Sequence, residues 1–400
     1  MSQATELDTA APRTGRAPAV ALAALAGPMS FGITGPALVL GDIARDLDVT
    51  IPAATTVVTA FGWGIAVGTP TMGALLTRYG PRVALSLCSL LIAAGAALVL
   101  AVPALPALVV GSGLQALGSA GMVVVAMSLA ASPAAMGAVT SSLAGVGAVA
   151  PLIGIQVSAA LSWQAVLAMT LLSLIAVPFV LRSVGRGTEV EAPRFDAWGA
   201  LLLTALVTAL VFVPQRPLPA LVAVAVTAVL LAAHLRRRPH GFVPADLLAN
   251  RVFAASAGIA FVLAVANFGI VYAAPGRLGD LTAWTPGQLG LAVAVPYLFG
   301  GVTSWLLVAR SARLRYPTLI TALLLASAAA VAAVTLGNAL VPLLFAGMAT
   351  GSLAAATGQG ALALRATKST STQSATAMGL FNLCYLLGAA FGPAIAALAV

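Results

Sequence analysis

The chain has 400 residues, 61% of them apolar and only 7% charged, with a formal net charge of +9. Soluble domains carry about 25% charged residues, so a soluble fold of this size is excluded. The basic excess does not mark a nucleic-acid binder either, because it sits in short loops beside apolar runs, where it meets lipid headgroups.

A bilayer core about 30 Å thick takes roughly 20 apolar residues as a helix. After a polar tail at 1–16, which holds Glu6, Asp8, Arg13 and Arg16, thirteen runs approach or exceed that length. They are 17–40, 53–76, 83–102, 105–130, 137–160, 163–182, 197–213, 219–235, 252–274, 287–309, 317–335, 339–363 and 374–400. The first is too long for a signal-peptide core and reads as an uncleaved anchor. Backbone groups in lipid have to be satisfied within the segment, so each run is predicted to be a helix. The charged, Pro- and Gly-punctuated stretches 183–196 and 236–251 divide the series. The expected organisation is a tail at 1–16, a six-helix lobe at 17–182, linkers with two extra helices at 183–251, and a five-helix lobe at 252–400. With the tail in the cytoplasm, sixteen of the nineteen Lys and Arg residues fall on the cytoplasmic side. Only Arg45, Arg216 and Arg277 fall outside, the asymmetry that positive-inside sorting produces. The fold class is therefore all-α and polytopic, with about thirteen transmembrane helices. Abundant Ala, and Arg in preference to Lys, fit a GC-rich bacterial genome and hence a bacterial inner (cytoplasmic) membrane.

Local motifs follow the same order. The second run carries Gly73-Ala-Leu-Leu-Thr77-Arg78-Tyr-Gly80-Pro-Arg82 into its loop. Gly73 lets two helices approach closely, Gly80 permits a tight turn, and Arg78 and Arg82 anchor the loop on the basic side. This spacing resembles the helix 2–3 signature of the major facilitator superfamily. Gln115 and Gly118 in the fourth run match that family too, as do Gly147, Pro151 and Gly154 in the fifth, with Ser162-Trp163 after them. The extra pair at 197–235, introduced by Phe195-Asp196-Ala-Trp198-Gly199, is similar to the fourteen-helix drug/proton antiporter branch, as is Gly379-Leu-Phe-Asn382 with Gly388 and Gly392. Together the matches run from about residue 31 to 397. The resemblance implies two pseudo-symmetric lobes around a central cavity, alternating access, and export of drug-like molecules or secondary metabolites, with antibiotic efflux among the expected activities. Gly73, Thr77, Arg78, Gly80, Arg82, Gly147, Pro151 and Gly154 then belong to gating.

Three departures stand out. The signature aspartate is Thr77, the expected arginine of the fourth helix is Ser112, and the expected aspartate of the first helix is Gly32. All ten acidic residues lie in loops or tails, so no carboxylate relays protons inside a run. Coupling through Asp42 or Asp46 at the outer mouth, uniport, and a scaffold that no longer transports all remain open. The thirteen-helix count also leaves the second lobe one member short of its resemblance. The candidate substrate-binding residues are Thr34, Gln115, Asn267, Tyr297, Asn382 and Tyr385, which would line an uncharged, largely apolar cavity for a neutral or amphipathic small molecule. Hydrogen bonding between helices is the alternative role for each of them. No phosphate-binding loop, metal-ligand spacing or catalytic triad is present, so no enzyme, cofactor or metal is expected.

Overall fold

The computed structural model describes residues 17–184, 196–213, 216–239, 241–336, 340–369 and 374–398. The tail at 1–16, most of the linker at 183–196 and the chain end at Val400 lie outside those residues. Each of the thirteen apolar runs coincides with helical backbone. The first is broken into α1 (Ala19–Ala26), α2 (Met29–Thr34), a 3₁₀ turn at Gly35–Leu38 and α3 (Leu40–Asp46). The breaks fall at Gly27-Pro28 and Gly35-Pro36, where proline removes a backbone donor and glycine relaxes the chain.

Runs two and three form α4 (Ile51–Ala101), whose two arms meet at Gly80 with φ +76°. A side chain at that φ would be strained although nothing crowds the site, so only the backbone conformation demands glycine there. There follow α5 (Leu105–Leu129), α6 (Pro133–Ala160), α7 (Trp163–Leu167) and α8 (Ser173–Ser183), the last two joined by a 3₁₀ turn at Met169–Leu172. The inserted pair is α9 (Ala197–Phe212) and α10 (Pro217–Arg237), followed by the short α11 (Ala245–Ala249). The chain continues with α12 (Arg251–Leu281), α13 (Pro286–Ser311), α14 (Tyr316–Leu336), α15 (Val341–Lys368) and α16 (Ser374–Leu398). Ten of the described helices are long and apolar enough to cross a membrane. Counting the arms of α4 separately and adding the two shorter apolar helices recovers thirteen.

Polar residues start these helices where the pattern requires. The hydroxyls of Thr50, Ser132 and Ser162 accept from the third amide of α4, α6 and α7, and Asn250 caps α12. Thr285 and Gln288 form a reciprocal capping box on α13.

Helices α1 to α8 pack together, chiefly α4 on α5 and α1 on α6, and α12 to α16 form a second group around α15. The groups meet where α6 lies against α13 and α15, and where α4 lies against α16. Hydrogen bonds gather the basic loops at one end. The guanidinium of Arg82 donates to the Val184 carbonyl at 2.9 Å, Arg365 donates to the Leu314 carbonyl at 2.7 Å, and the Asn250 amide donates to the Ser369 carbonyl at 3.0 Å. At the opposite end the indole of Trp163 donates to Asp46 at 2.6 Å, and Arg277 caps the last turn of α14 through the Val334 carbonyl.

Candidate functional site

At the arginine-rich end, α4 and α16 touch backbone to backbone. A Cβ on Gly73 would lie 2.9 Å from the Ala375 carbonyl, and one on Gly379 would lie 2.8 Å from the Thr69 carbonyl. Glycine at both positions is what lets the two helix groups close there. Just beyond, the hydroxyls of Thr77 and Thr376 hydrogen-bond across the seam at 3.1 Å, and Thr77 also donates to the Gly73 carbonyl at 3.0 Å. Arg78 stands over the ring of Tyr79, 5.3 Å from its centroid, and Arg82 ties the loop to the end of α8.

Burial confirms the closure. Residues 64–70 of α4, 118–127 of α5, 354–363 of α15 and 376–383 of α16 are buried without interruption, so no face of these stretches meets lipid or water. Outside those stretches single residues of α4 and α16, among them Thr56, Gly62, Ala390 and Ile395, are exposed. The contact of α6 with α13 extends from Gly137 against Trp305 at one end to Leu152 against Gly290 at the other.

The remaining candidates divide between packing and pairing. The hydroxyl of Thr34 donates to the Ser30 and Gly147 carbonyls at 3.1 and 3.0 Å, and that of Ser30 donates to the Leu143 carbonyl at 2.8 Å. With Gly154 set against the Gly35 carbonyl, and Pro151 between Gly147 and Gly154 on α6, this motif seats the broken first helix on α6. Gln115 is fully buried and directed into the packing of its own group. Its Oε1 accepts from the Thr170 hydroxyl at 2.6 Å, and its Nε2 has no partner among the described residues.

The second group holds the other four. Asn382 accepts from Gln359 Nε2 at 3.0 Å between α16 and α15. Tyr385, one turn along, meets Phe268 edge-on with centroids 6.4 Å apart. Asn267, next to Phe268, faces Gly351 on α15. Tyr297 lies apart from these, in a cluster with Ile270, Ala274 and Met348. Asn382 Nδ2, Asn267 Oδ1, Thr357 Oγ1 and the Tyr297 hydroxyl are buried without partners. Buried polar atoms are nearly always paired; the Ser119, Ser128 and Ser173 hydroxyls and Gln115 Nε2 are the counterparts in the first group.

Gly32, where the resemblance places an aspartate, has the ring of Phe61 directly over it, so a side chain there requires Phe61 to move. At the end opposite the arginine cluster, Asp42 pairs with Arg45 at 3.0 Å, and a cleft of about 550 Å³ is lined by Asp42, Arg45, Asp46 and Trp163.

A clasp at the base of the inserted pair was not expected from the sequence. Asp196 caps α9 through Gly199 N–H at 3.1 Å, accepts Phe242 N–H at 3.1 Å, and meets His234 Nε2 at 2.8 Å. It is 7% exposed. Burial raises its pKa, but the hydrogen bonds from His234, Phe242 and Gly199 and the His234 charge outweigh that and hold the carboxyl below its ordinary value. Gly199 and Gly241 press so closely on the carboxylate that neither tolerates a side chain. The signal was present: an acid before one helix of a hairpin and a base at the end of the other arrive at the same end.

Solved structures share this architecture. The human organic anion transporter MFSD10 (TETRAN) superposes with a TM-score of 0.65 at 17% identity, covering 94% of this chain and 91% of that one. The proton:xylose symporter XylE, bound to 6-bromo-6-deoxy-D-glucose, gives 0.57 at 15% identity, with 94% and 87% covered. An auto-inhibited peptide transporter of the POT family gives 0.54 at 16%, with 96% and 88% covered. At these identities the likeness is one of fold. No curated protein matches in sequence. The sequence profile of the Major Facilitator Superfamily, however, matches residues 20–244, more than half of the chain. This multi-pass membrane protein belongs to the major facilitator superfamily, a family of secondary transporters.

Proposed function

We propose that the protein exports neutral or amphipathic organic molecules, drug-like compounds or secondary metabolites, by alternating access. Its lobes are 17–182 and 252–400, joined through 183–251, and its arginine-rich end and N-terminus face the cytoplasm of a bacterial inner membrane. The extra pair α9–α10 supports a place near the fourteen-helix antiporter branch. The observation that carries the reading is the closed seam at Gly73 and Gly379, a contact of two helix groups that has to part for passage through the arginine-rich end. Asn267, Asn382, Tyr297 and Thr357 are the substrate-binding candidates whose unpartnered atoms support the role, with Gln359 and Tyr385 beside Asn382 on α15 and α16. Thr34 and Gln115 serve helix packing in this state. An ion buried among these uncharged groups would lack a counter-charge and cost several kcal/mol, which favours neutral ligands. Acids confined to loops, tails and helix ends make a facilitator uncoupled from protons the alternative, in which expression would not raise resistance to an external compound. The test compares compound sensitivity of a deletion strain with that of an overexpressing strain. Resistance that rises with expression for uncharged compounds supports export, and identical profiles in both strains refute it.

A further inference from the structure

We propose that the inserted pair α9–α10 is a latch on alternating access, held by the hydrogen bond between Trp63 and Thr208, which has to break before the helix groups can rock. The proposal rests on the alternating-access reading above. The pair stands outside both groups. α10 leaves Leu218, Val222 and Val229 exposed, whereas α9 packs on α4 and also touches α16, so it lies over the α4–α16 seam. Its base is tied to the second group by the chain itself and by the contact of α9 with α16. Asp196 holds Phe242 and His234, and the segment that follows runs through α11 into α12, where Asn250 caps the helix and donates to the Ser369 carbonyl of α15 at 3.0 Å.

Its middle is fastened to the first group. The indole of Trp63 on α4 donates to the Thr208 hydroxyl oxygen at 2.9 Å. The Thr208 hydroxyl proton is engaged by the Thr204 carbonyl at 2.7 Å, which turns a lone pair toward the indole. Twelve residues of helix separate Thr208 from Asp196, or about 18 Å at 1.5 Å per residue. A rotation of about 10° between the groups displaces that point by about 3 Å, more than a hydrogen bond survives. A single element that touches one lobe through α16 and the chain, and is hydrogen-bonded to the other, resists their relative rotation. In lipid no water replaces the lost partner.

The test uses the full-length protein in lipid nanodiscs, in a background without Cys88 and Cys384. Spin labels at Tyr79→Cys and Ser374→Cys, both exposed at the arginine-rich ends of α4 and α16, report the opening of the seam as a distance distribution. Thr208→Val removes the acceptor with little change in shape, and Trp63→Phe removes the donor. Each should raise the ratio of open to closed populations about threefold, the usual worth of one hydrogen bond between membrane helices, and the double variant should rise no further than either single. No change in the single variants, or fully additive shifts in the double, overturns the latch. Gly379→Leu, which forces the seam apart without touching α9, separates the two layers of the argument. If Gly379→Leu lengthens the distance while the latch variants match wild type, only the latch fails. If Gly379→Leu also leaves the distance unchanged, alternating access through this seam fails with it.

Discussion

Replacing Asp196 by alanine should loosen the base of the inserted pair more than any other single change at the arginine-rich end. The carboxylate accepts from Gly199 N–H, Phe242 N–H and His234 Nε2, all within 3.1 Å, and it is 7% exposed. Leaving Gly199 N–H, Phe242 N–H and His234 Nε2 without their acceptor costs about 1–3 kcal/mol for each group that solvent does not reach. The His234 side chain is 16% exposed, so solvent recovers part of this, and the lower end of the range applies. At 1.4 kcal/mol per decade, a loss of about 3 kcal/mol raises the population of the locally open base roughly a hundredfold. Arg236, Arg237 and Arg238 adjoin the clasp and make trypsin a direct probe. Cleavage in that segment should accelerate by about two orders of magnitude in Asp196→Ala, while the rest of the digestion pattern stays unchanged. The double variant with His234→Ala should be scarcely worse than Asp196→Ala alone, because both lose the same pair. Equal cleavage in wild type and Asp196→Ala, or full additivity with His234→Ala, refutes the clasp.

The pH dependence carries its own sign. Because the carboxyl of Asp196 is held below its ordinary value in the fold, its contribution is complete above the unfolded pKa, about 3.9. It is lost only as pH falls through the depressed folded value. Acidification should therefore remove the Asp196-dependent part of the protection, wild type against Asp196→Ala, only below about pH 3.9. Loss of that part between pH 5 and pH 4 points away from the carboxyl.

Gly73→Ala places a methyl group against the Ala375 carbonyl and should shift the protein toward the state open at the arginine-rich end, read as faster thiol labelling of cysteines introduced beside Thr376. Unaltered labelling would mean that the seam tolerates the extra volume. Thr77→Asp replaces a shared hydroxyl with an acceptor-only group beside Thr376 and should slow or speed the same labelling by several-fold, with Arg78→Ala loosening the gate; two silent variants would remove this turn from the mechanism. Flux of a neutral substrate identified by the sensitivity screen should survive a protonophore, because no carboxylate lies deep within the spans. Abolition of flux, followed by protonophore-insensitive flux in Asp42→Asn or Asp46→Asn, would relocate coupling to the outer mouth.

Helix number and order were legible because lipid forces a simple solution: each apolar run has to satisfy its own backbone as a helix. The breaks in the first helix were also written in the chain, as Gly27-Pro28 and Gly35-Pro36, but a hydropathy run passes over them. Side-chain direction was much less legible. In a soluble protein the polar face of a helix marks the outside, whereas α5 and α6 are apolar on every side, since lipid and core accept the same residues. Gln115 could therefore be placed on a helix from the sequence but not on a face, and it points into α4 and Thr170 of its own group. Small residues offered better guidance, because a glycine pair records backbone approach whatever the solvent. Gly388 and Gly392 lie against Phe261 and Val265 of α12, within one group, while Gly73 and Gly379 close the seam between groups. Identical residues thus serve assembly in one place and switching in another. What separates them is the partner: Gly388 and Gly392 press on a helix of their own group, Gly73 and Gly379 on a helix of the other. On the alternating-access reading proposed above, the seam that moves is therefore the α4–α16 contact, beneath the helix that Trp63 and Thr208 hold in place.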